Sequence, residues 1–178
     1  MTTDTLTAAR SRAPRPWLGR GVRSLVLIVH IVAASAWIGI DVMVAVLVGA
    51  GALAGDPAIR GLAYQTLATF IVVPMAVAAL LTLGSGVVLG LGTRWGLVRY
   101  WWVAVKLVLN VVLVVLIAAV LRPGMADVGV AGADLVASGR TDADLAFLVF
   151  PPAVSLTTLT LAVVLAVAKP WGRLRRSA

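Results

Sequence analysis

Cysteine and glutamate are absent from the 178 residues, and histidine occurs once. Without cysteine there can be no disulfide, thiolate metal site or cysteine nucleophile. Without glutamate and with one histidine, the supply of catalytic groups is thin. Charge is also scarce, at 12% of residues against about 25% in an ordinary soluble domain. Apolar side chains take its place. They make up 61% of the chain, with a mean hydropathy of +1.05. A domain this small leaves much of its surface in contact with its surroundings, so that surplus requires lipid as the solvent. The composition argues against a soluble enzyme, a nucleic-acid binder and a disordered tail. The net charge of +8 does not point to nucleic acid, because the basic residues cluster at the ends of apolar runs.

Four runs are long enough to cross about 30 Å of hydrocarbon, which takes roughly 20 helical residues. They fall at Ser24–Val48, Leu67–Leu91, Trp102–Leu121 and Phe147–Ala168. Only helices satisfy their own backbone in lipid, so the fold class is all-α: a polytopic, four-transmembrane-helix bundle. A basic arm (1–23) precedes it and a basic tail (169–178) follows. An Ala34-Ser35-Ala36 triplet resembles a signal-peptidase site, but the apolar run continues past it, as suits an uncleaved span.

Positive charge sets the orientation. One side collects Arg10, Arg12, Arg15, Arg20, Arg23, Arg94, Arg99, Lys169, Arg173, Arg175 and Arg176. The other holds Arg60, Arg122 and Arg140. Eleven against three places both termini in the cytoplasm. Trp17, Trp95, Tyr100, Trp101, Trp102 and Trp171 belong to an aromatic belt on that side, and Tyr64 to the outer face. The composition, rich in Ala, Val, Leu, Gly and Arg, suits a high-GC bacterium and its plasma membrane.

The connections differ in character. Asp56-Pro57 reads as an N-cap with proline at the first helical position, so the second helix starts outside the membrane and enters it near Leu67. Pro74 is expected to kink that helix. The long Gly-, Ala- and Asp-rich stretch Arg122–Ala146 reads as an outer loop. Thr141-Asp142-Ala143-Asp144 resembles a capping box, and Pro151-Pro152 is expected to interrupt the start of the last span.

Three ionisable groups lie inside the spans, and each is a functional candidate because such groups are costly in lipid. His30 and Asp41 are eleven residues apart, which returns an α-helix to within roughly 20° of its starting face and separates the two by about 16 Å. With Ala34, Trp37 and Val48 they form one stripe expected to face the bundle. Lys106 lies at about the depth of His30, with Asn110 one turn further on the same face. Thr82, Gly86 and Gly90 stand at the small-xxx-small spacing that allows helices to approach closely. One polar zone is therefore expected from His30, Thr82, Ser85, Lys106 and Asn110. Asp41, with no basic partner at its depth, is expected to be protonated or to reach an outer water-filled cavity.

The segment His30-Ile31-Val32-Ala33-Ala34-Ser35-Ala36-Trp37-Ile38-Gly39, a His followed seven residues later by Trp-x-Gly, resembles the first span of several small bacterial membrane families. Leu81–Gly86 and Trp101–Leu107 extend the likeness over the first three spans. The chain is similar to four-helix integral membrane proteins of unknown function, to the copper-resistance D group and, more distantly, to HemJ-type protoporphyrinogen oxidases. The HemJ likeness implies haem as cofactor, with His30 as ligand and Lys106 pairing a porphyrin carboxylate. One histidine allows no bis-His haem within a monomer. The copper likeness implies His30 with Met43 or Met75, a set poor in soft ligands.

Three functions are thus expected. The first is a membrane subunit binding a partner, a second copy of itself or a small ligand along the His30 stripe. The second is a haem- or porphyrin-linked redox protein. The third is a proton or metal-ion transporter using Asp41 and His30.

Overall fold

The computed structural model describes residues 18–92, 97 and 100–168. It shows four helical rods long and apolar enough to cross a membrane, and no strand among the described residues. The first rod is α1 (Arg20–Leu53). The second is continuous from Pro57 to Gly92 and consists of α2 (Pro57–Thr66), a widened π-helical turn (Leu67–Ile71) and α3 (Val72–Gly92). The third repeats that plan, with α4 (Trp101–Leu116), a π turn (Ile117–Leu121) and α5 (Arg122–Ser138). The fourth opens with a 3₁₀ turn (Ala146–Val149) and continues as α6 (Phe150–Ala168). An even number of crossings puts the start of α1 and the end of α6 at the same end of the bundle, called here the termini end. The opposite, loop end carries α2 and α5.

The rods overrun the apolar runs. Helix α1 already includes Arg20 and Arg23, which composition assigned to the basic arm, and it continues to Leu53. The second rod starts as expected. Asp56 Oδ1 accepts from the Ala58 amide at 2.8 Å, and Pro57 occupies the first turn, where its missing N–H is not needed.

The largest correction concerns Arg122–Ala146, expected to be a loop. Its first 17 residues form α5, which packs along α2 at the loop end. The glycines that looked like loop composition are contact points. A Cβ on Gly132 would stand 2.8 Å from the Gly61 carbonyl and 3.0 Å from the Gln65 amide, and one on Gly129 would be 3.4 Å from the Ala68 methyl. Small residues here let two backbones approach more closely than side chains permit. Helix α5 ends at Gly139, whose φ of +72° favours glycine.

Proline acts differently from expectation at two places. Pro74 and Pro123 each follow a π turn by two or three residues, and Arg122 N donates to the Ile117 carbonyl five positions back. A widened turn absorbs the amide donor that proline lacks, so both rods carry on past it. Pro151 and Pro152 do not interrupt the fourth rod, because they fall in the first turn of α6. Nor does Thr141–Asp144 form a capping box. Thr141 Oγ1 accepts from the Ala143 amide at 3.3 Å, and Asp144 Oδ1 from the Ala146 amide at 3.0 Å, heading the 3₁₀ turn.

The aromatic belt needs revision as well. Trp101 is exposed to the surroundings, but Trp102 turns into the bundle, and Tyr64 is buried against Gly51 rather than lying at an interface. Arg60 Nε donates to the Gly51 carbonyl at 2.9 Å, tying the end of α1 to α2. Trp17, Trp95, Trp171 and most of the basic arm and tail lie outside the described residues.

Candidate functional site

Helix α1 presents Ala33, Trp37, Asp41, Val44, Val48 and Gly51 to the core, so the expected stripe does face inward. His30 lies at the termini end of that stripe, against α3. Its Nδ1 is 3.1 Å from the Thr82 carbonyl and 2.9 Å from Ser85 Oγ. A carbonyl only accepts, so Nδ1 carries the hydrogen. Ser85 can share that hydrogen because its own hydroxyl donates to the Leu81 carbonyl at 2.5 Å. The tautomer is thereby set, and Nε2 keeps its lone pair.

In the small-residue series of α3, Thr82 and Gly86 lie in the seam with α1, as expected, and receive its His30 there. Gly86 forms the floor under the imidazole, since a Cβ there would come within 3.2 Å of His30 Cε1. Gly90 makes room for Leu97, and Gly92 for Leu18. The Thr82 hydroxyl donates to the Ala78 carbonyl at 2.8 Å, and the Thr82 carbonyl lies 3.2 Å from Ser85 Oγ as well as within reach of His30.

Lys106 does not reach straight out to a headgroup. Its ammonium lies over the Trp102 ring, 4.6 Å from the centroid, an arrangement that holds a cation beside an aromatic face. One turn deeper, the amide oxygen of Asn110 is buried and has no hydrogen-bond partner. Both residues line a half-open cavity of about 740 Å³ bordered by α1, α3, α4 and α6, with exposed rims at Leu27 and Ile31 of α1 and Val163 and Val167 of α6. Arg23 lines it near the start of α1, Lys106 near the start of α4 and Asn110 one turn further along α4, with His30, Thr82 and Thr158 also in the lining. The remaining wall is mostly aliphatic. Four of the five members of the expected polar zone thus share one cavity, and Ser85 holds the fifth position from behind His30. Sequence reasoning missed Arg23 and Thr158. Arg23 was counted only for topology, and Thr158 sits in an apolar run with nothing to mark its face.

Asp41 belongs elsewhere. It is 1% exposed and accepts from Ser155 Oγ at 2.6 Å. The expected outer water-filled cavity does not adjoin it. Its partner is a neutral hydroxyl from the fourth rod, again unmarked in the sequence. Trp37 separates Asp41 from His30 and is wholly buried, with an indole N–H that finds no acceptor. His30, Trp37 and Asp41 therefore share a helix face but not a site. Among the described residues no three His, Cys, Asp or Glu side chains converge as metal ligands.

No family model matches the chain, and no curated protein or solved structure is measurably similar to it.

Proposed function

We propose that this is a multi-pass membrane protein that binds a small molecule in the termini-end cavity, with both termini in the cytoplasm of a bacterial plasma membrane. The observation that carries the reading is the cavity itself. Its volume, about 740 Å³, falls within the range in which proteins enclose small ligands, and its few polar groups converge on an apolar chamber. An amphipathic molecule suits such a lining better than an ion does. The eleven-to-three distribution of Lys and Arg supports the orientation.

The test is what co-purifies. Ala34→Phe on α1, and independently Ala162→Phe on α6, fill the cavity. Mass spectrometry of extracts from gently solubilised protein should show one species depleted in both variants. Identical profiles for wild type and variants defeat the reading. A reporter fused after Ala178 should be active only in the cytoplasm, and periplasmic activity reverses the assigned orientation.

One observation favours a second reading, a haem or porphyrin site. Metal-bound histidines commonly donate their other ring N–H to a backbone carbonyl, as His30 Nδ1 does to Thr82. His30 would hold the group through Nε2, and Lys106 and Arg23 would pair its carboxylates. Haem would supply one-electron chemistry there, while the chain's own part is to fix the imidazole and exclude water. Titration of purified protein with haem should give a Soret band that His30→Ala abolishes. Protein that stays colourless removes this reading.

A further inference from the structure

The lining of the cavity is ordered by depth, and that order specifies a kind of molecule. Arg23 and Lys106 bring positive charge to the termini end. Asn110 follows Lys106 by four residues on α4, about 6 Å along the axis. Its buried amide oxygen lacks a donor, a deficit that costs free energy until one arrives. Beyond and around these groups the wall is aliphatic, with Leu107, Leu159 and Ala162 among its members. The chamber has the size at which proteins hold one drug-sized molecule.

We propose that the cavity takes a single-chain anionic lipid: a carboxylate or phosphate headgroup beside Lys106 and Arg23, a hydroxyl or N–H donor roughly one helical turn further in against Asn110, and one alkyl chain along the aliphatic wall. This rests on the ligand-binding reading above and names the class of ligand. Lys106 keeps its place on the Trp102 ring and supplies charge to the headgroup. A lysophosphatidic acid has all three elements in the right order. Its phosphate is followed by a glycerol hydroxyl and then by a single chain.

The test varies headgroup charge and hydroxyl separately. Full-length protein in dodecyl maltoside is titrated with oleoyl lysophosphatidic acid (anion, hydroxyl), oleoyl lysophosphatidylcholine (zwitterion, hydroxyl), oleic acid (anion, no hydroxyl) and inorganic phosphate, with bound species counted by native mass spectrometry. Lysophosphatidic acid should bind once per chain, about tenfold tighter than either lipid lacking one element, the worth of one charge-assisted or newly satisfied hydrogen bond. Lys106→Gln should erase the preference over the zwitterion and keep the preference over oleic acid. Asn110→Leu should do the reverse. Equal binding of all three lipids, saturation by phosphate alone, or variants that retain the wild-type pattern overturns the proposal. If none of the lipids binds while Ala34→Phe and Ala162→Phe still deplete a co-purifying species, the lipid class is wrong and the cavity reading survives. If that depletion is also missing, both fail.

Discussion

The hydrogen bond between Ser155 and Asp41 joins the first and fourth rods through the most completely buried ionisable side chain described. Ser155→Ala leaves Asp41 Oδ2 in the core without its donor, and every other contact remains. In membrane proteins such bonds are worth about 0.6 kcal/mol on average and about 1.7 at most. A carboxyl acceptor at 2.6 Å, 1% exposed, belongs near the top of that range. Ser155→Ala should therefore cost about 1.5 kcal/mol of unfolding free energy, measured by steric trapping in bicelles. In the Asp41→Ala background the same substitution has no carboxyl to strand, and it should cost no more than about 0.5 kcal/mol. The coupling in the double-mutant cycle is then about 1 kcal/mol. Asp41→Asn keeps an acceptor oxygen for Ser155 and should fall between wild type and Asp41→Ala. A coupling below about 0.3 kcal/mol would mean that the bond does not organise this end of the bundle.

Three further outcomes follow from local geometry. Trp37→Phe removes an indole N–H that has no acceptor, so it should change stability by less than about 1 kcal/mol, whereas Trp37→Ala should cost about 3–5 in the same assay. Gly132→Ala pushes a methyl to 2.8 Å from the Gly61 carbonyl, and because backbone cannot rotate away it should destabilise by about 1–3 kcal/mol; Gly39→Ala, with nothing within 4 Å, should be neutral or stabilising by up to about 1. The opposite order would show that α2 and α5 do not pack at these glycines. Asp56→Ala removes the cap of α2 and should lower stability by about 1 kcal/mol, with faster hydrogen exchange confined to the first turn after Pro57.

What was legible in the chain was whatever rests on composition and helical period. Four spans, the inward face of α1, the Asp56 cap and the meeting of His30, Thr82, Lys106 and Asn110 in one cavity all follow from counting residues along helices. Where reading failed, one residue type served two purposes. Glycine in Arg122–Ala146 looked like flexible loop, because composition alone cannot distinguish a glycine that frees the backbone from one that lets a second backbone approach. Gly90 looked like part of the helix seam that Gly86 forms with α1, yet it admits Leu97. Ser155 and Thr158 carried no signal, because a lone hydroxyl in an apolar run marks neither its face nor its partner until the helices are placed. Proline was read as a break, but a π turn upstream compensates for it locally.

The separation of the two polar levels bears on what can move through the bundle. A transporter using Asp41 and His30 needs water or a relay of polar groups over the roughly 16 Å between them. Trp37 fills the corresponding turns of α1 and belongs to one packed core with Met75, Ala78, Ala79 and Leu113. These side chains offer no acceptor even to the indole N–H, let alone to a hydrated ion. Passage between the levels would therefore require the first and second rods to part at Trp37. The cavity, by contrast, already extends from Arg23 to Asn110 without such a change. Exchange of its contents must then occur at the termini end or sideways between helices, and the Asp41–Ser155 bond can hold the far end of α1 against α6 while the cavity is filled or empty.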